Sequence, residues 1–150
     1  MSQKIGIDCK LYIKAGARSG AGLPVTPTLA AFVKDVTLTL ETDEADTTTR
    51  ANNGWKASEP TLKSASISFE QLWRENDTVF GILKDAFFNK SVISVAALTG
   101  AIDEAGSEGL VADMKVTKFT RKEPLNEAVS VDVEIKPATS DYAPEWVVVD

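Results

Sequence analysis

The sequence predicts a mostly β chain, an antiparallel β-sandwich or barrel carrying one amphipathic α-helix. Three observations lead there. Apolar and polar residues alternate in residues 36–40, 64–70 and 129–135, the pattern of strands with one buried face. Only one stretch, residues 78–88, carries apolar residues at helical spacing. No internal repeat is visible, and Gly, Pro, Asn and Asp punctuate the segments between strands.

The elements follow in chain order. Residues 10–14 alternate weakly and read as a first strand, and Gly16 to Gly22 with Pro24 and Pro27 read as a flexible loop. Val36, Leu38 and Leu40 share one side of a strand and Thr37 and Thr39 the other. From Glu41 to Lys63 the pattern vanishes in a Thr-, Asp-, Asn- and Ser-rich stretch holding Trp55 and Pro60. A connection of ~20 residues without regular structure is uncommon in a compact domain and tends to be functional or disordered, so residues 41–63 are expected to form a long mobile loop within a single domain spanning 1–150.

Residues 64–70 resume strand alternation. Glu75, Asn76, Asp77 and Thr78 supply helix-capping chemistry. Val79, Phe80, Leu83, Ala86 and Phe87 then form one apolar stripe, which with Trp73 is expected in the core. Residues 91–98 are a nearly continuous apolar run suited to a buried strand. Residues 110–120 make a long strand whose apolar parity changes between Val116 and Phe119, which predicts a bulge near Lys118. Residues 129–135 pair with it as a hairpin. Thr37, Thr39, Ser66, Ser68, Ser130, Asp132 and Glu134 then give several strands one polar face.

Composition excludes whole classes of function. The chain has 150 residues, a net charge of −6, one cysteine and no histidine. Without histidine it lacks the commonest general base and the usual dyad partner of a serine or cysteine nucleophile. Cys9 alone can form neither an internal disulfide nor a thiolate metal cage and is read as inert. An acidic balance is the reverse of what gripping nucleic acid needs. No apolar run approaches the ~20 residues of a membrane span. Met1 to Gly6 lack the apolar centre of a signal peptide, so a cytoplasmic site of folding is expected.

Candidate sites are few. Gly16 to Gly22 lacks the Gly-Lys-Ser/Thr ending of a phosphate-binding loop. Asp43, Glu44 and Asp46 miss the calcium-loop spacing. Asp132 and Glu134 share a strand face, as glycosidase acids can, but carboxylates on an exposed face are usually only solvated. Trp55 stands out as a large ring in a polar loop, either an interface anchor or a residue folded back on its own sheet. The expected sets of catalytic, metal and cofactor residues are empty.

At the long loop and its flanks Val33-Lys34-Asp35-Val36-Thr37-Leu38-Thr39-Leu40 leads to Glu44-Ala45-Asp46-Thr47-Thr48-Thr49-Arg50. Gly54-Trp55-Lys56-Ala57, Glu59-Pro60-Thr61-Leu62-Lys63 and Phe119-Thr120-Arg121-Lys122-Glu123-Pro124-Leu125 follow. In this order the sequence resembles the major tail tube proteins of long-tailed bacteriophages and of phage-like elements in bacterial genomes. The resemblance implies a non-enzymatic β-sandwich subunit that forms hexameric rings stacked into a hollow tube. DNA would pass through that tube without tight binding. Asp46, Thr47, Thr48, Arg50 and Trp55 would carry stacking, and Ser130, Asp132 and Glu134 would face the lumen. Implied partners are copies of itself and other tail proteins, such as a terminator or a sheath. The implied place is the virion tail after assembly in the bacterial cytoplasm. The alternatives are a tube protein like that of type VI secretion and a β-sandwich ligand-binding module.

Overall fold

The computed structural model describes residues 5–150; Met1 to Lys4, at the start of the segment read for a signal peptide, lie outside it. Eight strands run in the order β1 (Lys10–Ala15), β2 (Thr28–Leu29), β3 (Val33–Asp46), β4 (Ser58–Leu72), β5 (Ile93–Leu98), β6 (Glu108–Lys122), β7 (Ser130–Pro137) and β8 (Glu145–Val148), with helix α1 (Thr78–Asn89) between β4 and β5. They form one antiparallel sheet ordered β2-β1-β5-β6-β7-β4-β3, with β8 on β6. The outermost strands β2 and β3 are joined only through Ala30, Ala31 and Phe32. Four peptide steps of up to ~3.6 Å span ~14 Å at most. The two ends of the path must therefore lie close together, and the sheet curls over on itself.

Strand β6 makes this possible. Its first half pairs with β5 through Met114, and its second half pairs with β7 from Met114 to Lys122. It thus belongs to two half-sheets, β2-β1-β5-β6 and β3-β4-β7-β6, that pack face to face. The predicted bulge is present between Val116 and Lys118; such an insertion bends a strand and increases its twist. Leu11, Ile13, Ile67, Phe69, Ile93, Val95, Met114, Val133 and Ile135 from both halves share one buried cluster with Val79, Phe80, Leu83 and Ala86 of α1.

Two parts of the helix differ from expectation. Asp77 is the N-cap residue, but its side chain makes no capping bond; its carboxylate accepts from Gln71 Nε2 at 2.6 Å. Of the aromatics expected in the core only Phe80 is buried. Trp73 packs on it at 4.5 Å from a half-open position, and Phe87 is likewise half-open. The stripe is wider than the core it meets, so its last turn overhangs.

The back of the first half-sheet is also covered. Tyr12, Ala96, Leu98 and Val111 make a second small cluster beneath Leu23, Ile102 and Val147. Here the Gly-rich segment proves to be an anchored loop. Strand β8 continues the line of β7 along the same edge of β6, and residues 138–144 loop out between them. Arg18 fills the break. Its Nε lies 3.3 Å from Asp113 Oδ1, and its backbone N–H donates to the same oxygen at 2.9 Å. Nη1 donates to the Gly22 carbonyl and Glu145, and Nη2 to the carbonyls of Tyr142 and Ala143. Ser140 donates to the other Asp113 oxygen, and the Gly22 N–H to Glu145. Both members of the Arg18–Asp113 pair are buried. Glycines let the loop turn; the arginine within it decides where it lies.

Removing one partner of a buried ion pair leaves the other charge uncompensated, at a cost of ~3–5 kcal/mol. Arg18→Met should therefore lower unfolding free energy by about that amount in urea titrations. Arg18→Met with Asp113→Leu should recover a large part of the loss.

Candidate tube-forming surfaces

By alternation alone, regular structure stops at Leu40 and resumes at Ser64. The structure instead carries β3 to Asp46 and β4 back to Ser58, so the irregular part narrows to residues 47–57. This extension is exposed almost throughout, so no hydrophobic alternation marks it. Ladder bonds hold it, with Leu40 opposite Ala65, Thr42 opposite Lys63 and Asp46 opposite Ser58, and a bulge between Thr42 and Glu44.

The tip is tied internally. Thr47 N–H donates to the Ala57 carbonyl at 3.0 Å. Thr48 Oγ1 donates to the Ala57 carbonyl at 3.2 Å and accepts the Ala57 N–H at 2.9 Å. Arg50–Asn52 form a 3₁₀ turn closed by Asn53 at φ 51°, with Gly54 at φ 85°. Asparagine and glycine enter this left-handed region at low cost. Trp55 is 77% exposed. Asp46, Thr47, Thr48, Arg50 and Trp55 thus share one projecting tip, where the Thr48 N–H donates to the Asp46 carboxylate.

Polar side chains of β3, β4, β7 and the second half of β6 lie on the face opposite the core. Thr39 pairs with Ser66, Thr37 with Ser68, Ser68 with Glu134, and Glu70 with Asp132. Across the next ladder Glu134 faces Lys118 and Asp132 faces Thr120. Asp132 and Glu134 lie on this face, as their alternation predicts, and lysines stand beside them. Lys122 stands 3.1 Å from Asp132, Lys136 3.5 Å from Glu134 and Lys34 3.7 Å from Glu70. The hydrogen bond to Asp132 pushes the Lys122 ammonium above its usual range. Exposed pairs of this kind contribute ~0–1 kcal/mol to stability; their effect is on the charge of the surface, which they balance. Ser130 departs further, being buried at the end of β7 between Leu72 and Lys122. The bulge sets the facing of Lys118 and Lys122, shifting them onto the face that Lys115 occupies.

Among the described residues no group of three or more His, Cys, Asp or Glu side chains could hold a metal ion, and no helix is long and apolar enough to cross a membrane. Cys9 is exposed and unpaired.

One pH effect follows from the tip. Interaction with the Thr48 hydroxyl, and secondly with its N–H at 2.9 Å, holds the Asp46 carboxyl below its usual range. A depressed carboxyl contributes order above its unfolded value and loses it as pH falls through the folded one. Amide exchange at Thr48 should therefore accelerate on acidification through the carboxylate range beyond the intrinsic trend, and Asp46→Ala should abolish that step.

The family model described as phage tail tube protein matches residues 6–139. No curated protein sequence matches the chain. Among solved structures, the tail of an empty gene transfer agent (GTA) particle, helically refined in C6 symmetry, is 17% identical, with a TM-score of 0.73 over 97% of this chain and 100% of that one. The SPP1 tail tube is 11% identical, with a TM-score of 0.75 over 99% and 81%. A chain of the anti-feeding prophage baseplate is 10% identical, with a TM-score of 0.63 over 100% and 99%. At these identities the structures speak for the shared fold, and the family model, spanning most of the sequence, decides the membership: the chain belongs to the phage tail tube protein family.

Proposed function

We propose that this chain is the structural subunit of a tail tube, assembling into six-membered rings that stack around a channel for DNA, with no enzymatic role. One observation carries the reading beyond family membership. The half-sheet β3-β4-β7-β6 has its apolar face in the core and leaves the other, polar and charge-balanced, bare. The first half-sheet has its back covered by Leu23, Ile102 and Val147. If copies close into a ring with their cores outward, the bare face lines the channel. The six-fold order is taken from the symmetry of the GTA tail.

A lumen for DNA must avoid holding phosphate. Neutralising phosphates with fixed cations releases counterions and produces tight, salt-sensitive binding. Here the lysines nearest the carboxylates of this face are engaged with them. We propose that neutrality, rather than a negative wall, keeps DNA free to slide. On the same reading Asp46, Thr47, Thr48, Arg50 and Trp55 present the stacking contact to the next ring, and the hairpin is mobile until it docks. The subunit would assemble in the bacterial cytoplasm and serve in the virion tail beside terminator or sheath proteins.

Two outcomes test this. Trp55→Ala should leave the urea midpoint nearly unchanged and permit rings by light scattering, but lose ~2 kcal/mol or more at the stacking interface and so shorten or abolish tubes in electron micrographs. Normal tubes, or a destabilised monomer, would remove Trp55 from stacking. Gel shift with duplex DNA at low salt, where electrostatic affinity is greatest, should show no micromolar binding; binding that weakens steeply with salt would overturn the sliding argument.

A further inference from the structure

We infer that Asn53 and Gly54, at the apex of the β3–β4 hairpin, form a site of spontaneous covalent modification, in which the Asn53 amide is lost through a succinimide and aspartate or isoaspartate is left in its place. Water is the co-reactant, and no enzyme is needed. The consequence for assembly rests on the stacking reading above; the chemistry does not.

The choice of position follows from the neighbouring residue. Asparagine is one of the chemically labile side chains, and of Asn52, Asn53, Asn76, Asn89 and Asn126 only Asn53 precedes a glycine. The reaction closes a ring between the asparagine side chain and the backbone nitrogen of the next residue, so a side chain on that residue crowds the approach. The other four asparagines are followed by Asn53, Asp77, Lys90 and Glu127. Asn89 is held further, because it ends α1 and the Lys90 N–H donates to the Ala86 carbonyl.

The structure leaves the reacting groups free. Asn53 and Gly54 are both exposed. The side-chain hydrogen bonds of the tip are those of Asp46 and Thr48. At the apex the backbone donors are Asn52 to Thr49 at 3.2 Å, Asn53 to Arg50 at 3.3 Å and Trp55 to Asn52 at 3.0 Å. Among the described residues the Asn53 amide is therefore unbonded and the Gly54 N–H has no acceptor. Nothing lies within 4 Å of where a Gly54 Cβ would stand. Ring closure requires the peptide plane after Asn53 to swing away from its present φ 51° and ψ 42°. Two of the three bonds that resist are at or beyond the long end of the normal range, glycine permits the swing, and the exposed Trp55 does not pin the turn.

The atoms balance as follows. Base removes the Gly54 amide proton, the nitrogen bonds to Asn53 Cγ, and the Cγ–Nδ2 bond breaks with Nδ2 leaving as ammonia. Water then opens the ring. Breaking the new N–Cγ bond gives aspartate. Breaking the bond from that nitrogen to the Asn53 backbone carbonyl carbon gives isoaspartate, whose main chain runs through Cβ and Cγ and is one methylene longer. Both products set a carboxylate beside the stacking tryptophan, and isoaspartate also shifts Trp55 relative to Asn52. Modified subunits then stack poorly, whereas a tip already ordered in a tube keeps its amide. The apex thus limits how long a free subunit stays competent to assemble.

The test holds full-length subunit at mildly alkaline pH beside a sample unfolded in guanidinium chloride. Trypsin releases residues 51–56 between Arg50 and Lys56, and mass spectrometry follows the amide while isoaspartate methyltransferase labelling separates the two products. Because exposed loop tips open at almost no free-energy cost, the folded subunit should lose the amide within about threefold of the unfolded rate. The loss should quicken as pH rises and spare Asn76, Asn89 and Asn126. Asn53→Gly keeps the left-handed turn and should abolish it. A folded tip that keeps its amide while the unfolded chain loses it would overturn the site. Tube yield by electron microscopy should then fall in aged wild-type protein in step with the modified fraction and hold in equally aged Asn53→Gly. Undiminished tubes built from modified subunits would overturn the effect on assembly. Fresh wild-type protein that forms no tubes would overturn the stacking reading, with the site itself still decided by the mass spectra.

Discussion

Strand β6 has to satisfy two half-sheets at once. Its 15 residues run from a region buried on both sides, where Leu110, Ala112 and Met114 face one cluster and Val111 the other, to a region with one side bare. A flat strand cannot serve two sheets packed against each other. The bulge between Val116 and Lys118 turns the strand where its allegiance changes. Helix α1 then packs in the angle and completes the core. The doubly buried part brings a second demand, because Asp113 lies within it. A carboxylate out of water needs a charge partner and hydrogen bonds, and Arg18 with Ser140 supplies both. That requirement draws residues 16–22 and 138–145 onto the back of the sheet and covers it.

The asymmetry of the subunit follows. One half-sheet is clad on both faces; the other is clad on one. The bare face mixes lysines with carboxylates, three of each in ion pairs, so it is wettable without being a fixed cationic surface that grips a polyanion. At one end of the same half-sheet β3 and β4 run on past the core and hold a tip closed by Thr48 and Ala57. The exposed part of this hairpin adds little to the stability of the subunit, and we read it as reserved for contacts between subunits.

Much of this was legible in the sequence. Alternation at 36–40, 64–70 and 129–135 set the strands that touch the core, the stripe in α1 set its buried side, and the parity change around Thr117 located the bulge. What could not be read lacked an apolar signal. Residues 41–46 and 58–63 are strands held by ladder bonds alone, and β2 and β8 are too short to show a period. Arg18 was hidden in a segment whose glycines announced only freedom. A signal did exist for it: Asp113 interrupts the run Leu110-Val111-Ala112-Asp113-Met114, and a charge set in such a run demands a partner elsewhere in the chain. Ser130 has the right parity for the bare face yet lies under its neighbours, which alternation alone cannot reveal.

The central claim is that the half-sheet with one bare face encloses a channel. A helical cryo-EM reconstruction of assembled protein measures this directly. The account predicts six copies per ring, with Ser68, Asp132 and Glu134 facing the lumen and α1 outside it. A tube with those residues on its outer surface, or with α1 lining the channel, would contradict it.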